Sequence, residues 1–159
     1  MLDAGFAEVL AVTGAEGASL RSALEGLDCG ILFAPDWAEG MAASLRTGIA
    51  ALDPESMGVC VFLGDMPLVP VGLCADLFEQ AQAAGYAARP RFEGKPGHPV
   101  AFTCAAFADL MALTGDQGAT ALLKARPDAV AYCDTADSGV LLDIDTPADL
   151  SRAAAAWKA

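Results

Sequence analysis

Positive charge is scarce in this chain. It carries 9 Lys and Arg against 21 Asp and Glu, one histidine (His98) and a net charge of −12. Nucleic acid and anionic membranes are therefore poor partners, because neutralising their phosphates needs clustered cations. A free nucleotide carried with a divalent metal stays compatible, since the metal brings the positive charge. No apolar run reaches the roughly 18 residues that span a bilayer. The start, Met1 to Phe6, has no basic stretch of the signal-peptide kind. Five cysteines (Cys29, Cys60, Cys74, Cys104, Cys133) form no Cys-x-x-Cys pair. They read as small buried thiols of a reducing cytoplasm, with no zinc site or disulfide frame. Glycine-rich dinucleotide loops, Walker loops and serine elbows are also missing.

Apolar residues are abundant, at 55% of 159 residues. A chain of this length buries about 70% of its unfolded surface and needs no staple. It is read as one domain over 1–159.

Strands and helices alternate along it. Extended segments are expected at Glu8–Thr13, Cys29–Ala34, Val59–Leu63, Ala129–Cys133 and Val140–Leu142. Helices are expected at Ala18–Leu27, Gly40–Leu52, Val71–Ala84, Phe107–Leu113 and Ala119–Lys124. Two further extended segments, Tyr86–Pro90 and His98–Thr103, flank the turn-rich Phe92–Gly97 and suggest a hairpin. Thr146, Pro147 and Asp149 spell a helix start close to a capping box, and that helix runs to Trp157. The order argues for an α/β fold: a mostly parallel, doubly wound sheet with a small hairpin excursion.

Chemistry concentrates at two strand ends. Val59–Leu63 is an apolar run of the kind buried on both faces of a parallel sheet, and it stops at Gly64, Asp65 and Pro67. Ligands of open α/β sheets bind beyond the carboxyl ends of the strands. Asp65 would hold a metal or nucleotide there; an ordinary strand-ending turn uses the same residues. Asp143 and Asp145 lie two apart at a second strand end and project to one side. Carboxylates from two strands make a hard-oxygen site suited to Mg²⁺. Acid–base hydrolysis is the weaker alternative, and simple capping of the last helix by Asp145 is another.

Gly40 at a helix start would let a ligand approach the backbone, with Ser44 one turn further in. A plain helix start reads the same way. In Gly97-His98-Pro99, a lone loop histidine is more often incidental than catalytic. Gly115-Asp116-Gln117-Gly118 reads as a capping turn.

Five segments in order resemble one family. Glu39-Gly40-Met41-Ala42-Ala43-Ser44-Leu45-Arg46, Leu63-Gly64-Asp65-Met66-Pro67, Gly97-His98-Pro99-Val100, Gly115-Asp116-Gln117-Gly118-Ala119 and Asp143-Ile144-Asp145-Thr146-Pro147-Ala148-Asp149-Leu150 are similar to the nucleotidyltransferases of molybdenum-cofactor assembly. The nearest subgroup is the CTP:molybdopterin cytidylyltransferase-like one.

The resemblance implies a Rossmann-like nucleotidyltransferase fold. It implies transfer of CMP or GMP from CTP or GTP to a phosphate-bearing acceptor such as molybdopterin, with pyrophosphate released. Asp65 and Asp145 would be catalytic. Asp65, Asp145 and Asp143 would hold Mg²⁺. Gly40, Met41, Ser44, Leu63 and Gly64 would line the nucleotide pocket. Gly97, His98 and Pro99 would lie on the acceptor side. An acceptor phosphate is already a nucleophile, so positioning and metal electrostatics do most of the work.

The family also begins with a strand and a Gly-rich loop that cradles the triphosphate. Here Glu8–Gly14 matches the family's second strand, so a shortened form is expected, with weak or no turnover and self-association through open edges. The other expectations are a non-catalytic accessory domain, docking on a molybdoenzyme or chaperone, and a sugar-nucleotide-type transferase.

Overall fold

The computed structural model describes residues 5–15, 17–116 and 118–157. Glu16, Gln117 of the capping turn expected above, and Met1–Ala4 of the N-terminal stretch lie outside the described residues. The described residues gather into two compact units.

The first unit runs up to Ser56 and includes Ala106–Pro127. Strands β1 (Leu10–Thr13) and β2 (Gly30–Phe33) pair in parallel, Leu10 opposite Gly30. Helix α1 (Gly17–Ala23) connects them. Its sequence pattern predicts an inward apolar face, yet none of its residues is buried and Leu20 is exposed. Helix α2 (Met41–Ala50) packs on β1 and β2 and against α4 (Phe107–Met111). Ala42, Ala43 and Ile49 are its buried residues. Helix α5 (Thr120–Ala125) buries Leu123.

The second unit comprises Met57–Ala105 and the chain from Asp128 onward. Its sheet has the order β3 (Gly58–Val61), β6 (Val100–Thr103), β4 (Ala87–Phe92) and β5 (Lys95–Pro96), with β7 (Val130–Asp134) on the other edge of β4. β6 is antiparallel to both β3 and β4, whereas β7 is parallel to β4. Hence β3, β4 and β7 run the same way and β6 is reversed between them. The hairpin excursion accounts for that reversal. β4 turns into β5 through Glu93 (φ 47°) and Gly94 (φ 79°), both left-handed, as a two-residue hairpin turn demands.

Helix α3 (Cys74–Ala84) covers one face of this sheet. Leu77 and Ala81 pack on Ala88 and Ala101, with Cys60, Ala131 and Cys133 at the margin. Gly85 (φ 76°) ends the helix in the left-handed conformation, where a Cβ is costly. Helix α6 (Pro147–Trp157) closes the described chain.

Three expectations need correction. β3 is half-buried along its length and pairs on one side only among the described residues, so it is not a central strand buried on both faces. Val140–Leu142 is not a strand. Ser138–Leu141 forms a 3₁₀ turn, because the Asp137 carboxylate accepts from Gly139 N at 2.8 Å and coils the chain there. Cys104 is exposed, since it begins the turn that leaves β6; Cys74 is buried and the other three are half-buried. All five are free thiols.

Candidate active site

The second unit brings three of the sequence-predicted segments together. The chain leaves β3 through Phe62 and Leu63 and makes a tight turn, with Met66 N donating to Leu63 O at 3.3 Å. Met66 is buried and anchors the turn, which leaves Gly64 and Asp65 exposed. Ile144 N then donates to Asp65 O at 2.9 Å. That bond lays 143–145 beside Asp65, although 143–145 is not a strand. Ile144 is half-buried while Asp143 and Asp145 are exposed, so both carboxylates lean away from the protein as the two-residue spacing predicted.

Among the described residues, the carboxylates of Asp65, Asp143 and Asp145 have no hydrogen-bond or ion-pair partner. Capping of α6 falls to others. Asp149 N donates to Thr146 Oγ1 at 3.3 Å and Thr146 N donates to the Asp149 carboxylate at 2.8 Å. Asp145 is thereby left free of that duty. Among the described residues, no three His, Cys, Asp or Glu side chains converge into a ready-made metal cage. Free, exposed hard-oxygen donors on two adjoining segments fit Mg²⁺ all the same. That ion keeps several waters and commonly takes one or two carboxylates plus substrate phosphates.

The Gly97-His98-Pro99 loop is built into the same unit. Gly97 N donates to Pro90 O and His98 N to Val140 O, each at 2.8 Å. A Cβ on Gly97 would lie 2.3 Å from Val140 O, so only glycine fits. Pro99 is buried. His98 is half-buried rather than an exposed loop histidine, and its Nδ1 is buried with no partner. Burial is the main cause that holds its pKa below the usual imidazole value; the nearby Arg89 charge adds to this and Asp65 opposes it.

Arg89 is the residue that sequence reasoning missed. It is 7% exposed on β4, and both Nε and Nη2 donate to Gly97 O, at 3.0 and 2.8 Å. A signal was present: an arginine inside the buried stretch Ala87-Ala88-Arg89-Pro90 is rare without a task.

Gly40, Met41 and Ser44 belong to the first unit. Gly40 has φ 114°, and a Cβ there would lie 2.7 Å from the Gly115 carbonyl. The close approach expected at this glycine is thus made by the protein's own backbone. Ala42 N donates to Gly115 O at 3.1 Å and Met41 N to the Asp116 carboxylate at 3.3 Å. The start of α2 therefore does not present those two amides free, contrary to expectation, because the loop at 115–116 fills them. Arg46 fastens the same loop by donating to Leu113 O at 2.7 Å. Capping is the role the sequence suggested for this turn. Met41 remains exposed and Ser44 half-buried.

Residues 1–131 match the family described as MobA-like NTP transferase domain. No curated protein matches the chain. Among solved structures, Rv0371c of Mycobacterium tuberculosis H37Rv, crystallised with manganese, is 28% identical with a TM-score of 0.81, over 94% of this chain and 78% of that one. A nucleotidyl transferase from Methanothermobacter thermautotrophicus is 21% identical with a TM-score of 0.84, over 99% and 76%. Molybdopterin-guanine dinucleotide biosynthesis protein A of Archaeoglobus fulgidus is 18% identical with a TM-score of 0.65, over 94% and 78%. The last two show likeness of fold alone. Among the described residues no helix is long and apolar enough to cross a membrane.

Proposed function

The chain belongs to the MobA-like NTP transferase domain family, and from that premise we propose that it moves a nucleoside monophosphate from an NTP to a phosphate-bearing acceptor, releasing pyrophosphate. CTP or GTP is the donor and a molybdopterin-type cofactor the acceptor. The observation that carries this reading is the Ile144–Asp65 backbone bond, which sets Asp65 beside Asp143 and Asp145 with their carboxylates unpaired.

Asp65 and Asp145 would hold a divalent ion, with Asp143 in reserve. Mg²⁺ is the proposed metal; the structure of Rv0371c in complex with manganese is a parallel. When bound, such an ion offsets charge on the α-phosphoryl group. The carboxylates fix that ion, and the Gly97–Pro99 loop orients the acceptor, whose phosphate needs little activation. Leu63 and Gly64, which adjoin Asp65 in the second unit, are proposed to line the nucleotide pocket.

Calorimetric titration of CTP and then GTP tests this, with and without Mg²⁺. It is run on this chain and on a version extended at the N-terminus by about 40 residues, enough for one strand, loop and helix. Binding in either form that needs Mg²⁺ and is lost in Asp65→Ala supports the reading. Absence of nucleotide binding in both forms rejects it.

A non-catalytic binding domain is the second reading. It is favoured by the filled amides at the start of α2. It predicts acceptor or protein binding indifferent to Asp65→Ala.

A further inference from the structure

Arg89 is a buried cation with no anion beside it. Ala88, its neighbour on β4, packs toward α3, so strand alternation sends Arg89 to the opposite face. The four ion pairs of the described residues use Arg46, Arg91, Arg126 and Arg152. Arg89 has only the neutral carbonyl of Gly97. Burying a guanidinium without a counter-charge is costly, and such charges are normally paired. Two of its five N–H groups are spent on Gly97 O. Its Nη1 donates to nothing among the described residues and is not sealed from solvent.

His98 supplies the second unmet need. Its ring follows directly on the peptide that Arg89 holds, and its Nδ1 is buried and unpartnered. The imidazole feels both the Arg89 charge and the Asp65 charge, so the three groups share one neighbourhood. A guanidinium with a free edge beside an imidazole, in a chain of net charge −12, calls for one ligand chemistry. That chemistry is a compact oxyanion with several acceptor atoms, as a phosphate monoester has.

We infer that Arg89 and His98 form an oxyanion subsite that takes the phosphate of the acceptor, with Arg89 Nη1 as the donor, the His98 imidazole beside it and Arg89 also holding the Gly97 carbonyl. This rests on the nucleotidyltransferase reading for the word acceptor. The same phosphate chemistry is carried by the NTP tail, and the test separates the two.

His98 is the sole histidine, so its imidazole resonances are unambiguous by NMR. The 159-residue chain is titrated with inorganic phosphate at constant pH, and with chloride at matched ionic strength. A saturable shift of the His98 signals with phosphate and none with chloride is expected. Arg89→Lys keeps charge but loses the fork and should weaken binding about tenfold; Arg89→Gln should abolish it. No His98 shift in the unmutated chain overturns the subsite whether or not the variants fold. So does an Arg89→Gln titration that matches the unmutated one.

CTP with Mg²⁺ is added last. Persistence of the phosphate shift assigns the site to the acceptor; loss of it by competition assigns it to the donor tail and overturns the acceptor assignment. If calorimetry shows Mg²⁺-dependent CTP binding but phosphate leaves His98 unmoved, the subsite fails and the transferase reading stands. If phosphate moves His98 but no NTP binds, the transferase reading fails and the oxyanion site remains.

Discussion

Ile144 N donates to the carbonyl of Asp65 at 2.9 Å. Seventy-nine positions apart in sequence, these residues are joined by the bond that aligns both acidic segments. It has no helix or strand around it to share the load on the Ile144 side. Ile144→Pro removes the donor and leaves every proposed ligand in place. Loss of the bond should cost on the order of 1 kcal/mol of stability. Mg²⁺-dependent nucleotide binding should fall far more than this, toward that of Asp65→Ala, because the carboxylates lose their alignment. Calorimetry beside urea unfolding separates the two effects. Unchanged nucleotide affinity would show that the alignment is irrelevant.

Gly97 has no room for a side chain, with Val140 O 2.3 Å from where a Cβ would stand. Gly97→Ala must push the loop off the 3₁₀ turn or break the His98–Val140 bond. Overpacking of this kind costs about 1–3 kcal/mol. The unfolding free energy measured in urea should drop by that amount, with the His98 resonances displaced. A neutral substitution would mean that the loop yields freely.

Much of this architecture was legible in the sequence, and the failures have identifiable causes. Thr146, Pro147 and Asp149 spelled out the start of α6 because a capping box is a local device. The helix expected over Val71–Ala84 was legible for the same reason: helix periodicity needs no knowledge of partners. Val140–Leu142 looked like a strand because apolar runs do not reveal whether an edge is available to pair. There the Asp137 carboxylate took Gly139 N and coiled the chain instead. The inward face expected of α1 lies exposed among the described residues, since periodicity says which side is apolar but not what covers it. At the candidate site, Asp65, Asp143 and Asp145 stood out as acids at chain breaks. Arg89 did not, because its importance comes from Gly97, eight residues on, and from the absence of a carboxylate near it.

Asp116 substitutes for an N-cap that glycine cannot provide. Gly40 has no side chain to cap α2, and the Asp116 carboxylate accepts from Met41 N at 3.3 Å from across the loop. Asp116→Ala should destabilise by about 0.5–1 kcal/mol, the low end of capping effects, because the bond is long and exposed. Asp116→Asn should restore most of it. Thermal unfolding of both variants is the check, and equal melting points would deny the cap any role.

Thiol reactivity should follow both exposure and the thiolate population. Cys104 is exposed and should label first with a disulfide reagent. Cys60 should lag well behind it: its hydrogen bond to Cys74 and partial burial push the thiol well above the ordinary range, so the reactive thiolate is rare. Mass spectrometry of timed labelling reads the order directly. Rapid modification of Cys60 in the folded chain would contradict the packing of β3 against α3.

The Asp149 carboxyl is held below the usual carboxylate range, first by the Thr146 hydroxyl and then by the Thr146 amide and the Arg152 charge. A depressed folded-state value means that the unfolded chain binds the proton more readily. The contribution to stability is therefore complete above the ordinary aspartate value of about 4. It fades as pH falls through the lower, folded value. Thr146→Ala removes the leading cause and should move the Asp149 titration upward, toward that of a free aspartate. The loss of stability should be visible at neutral pH and shrink in acid, where both chains carry a protonated Asp149. Carboxyl NMR titration of the two proteins, paired with urea unfolding at neutral and acidic pH, measures both halves. Coincident titration curves would mean that Thr146 does not govern the charge at the start of α6.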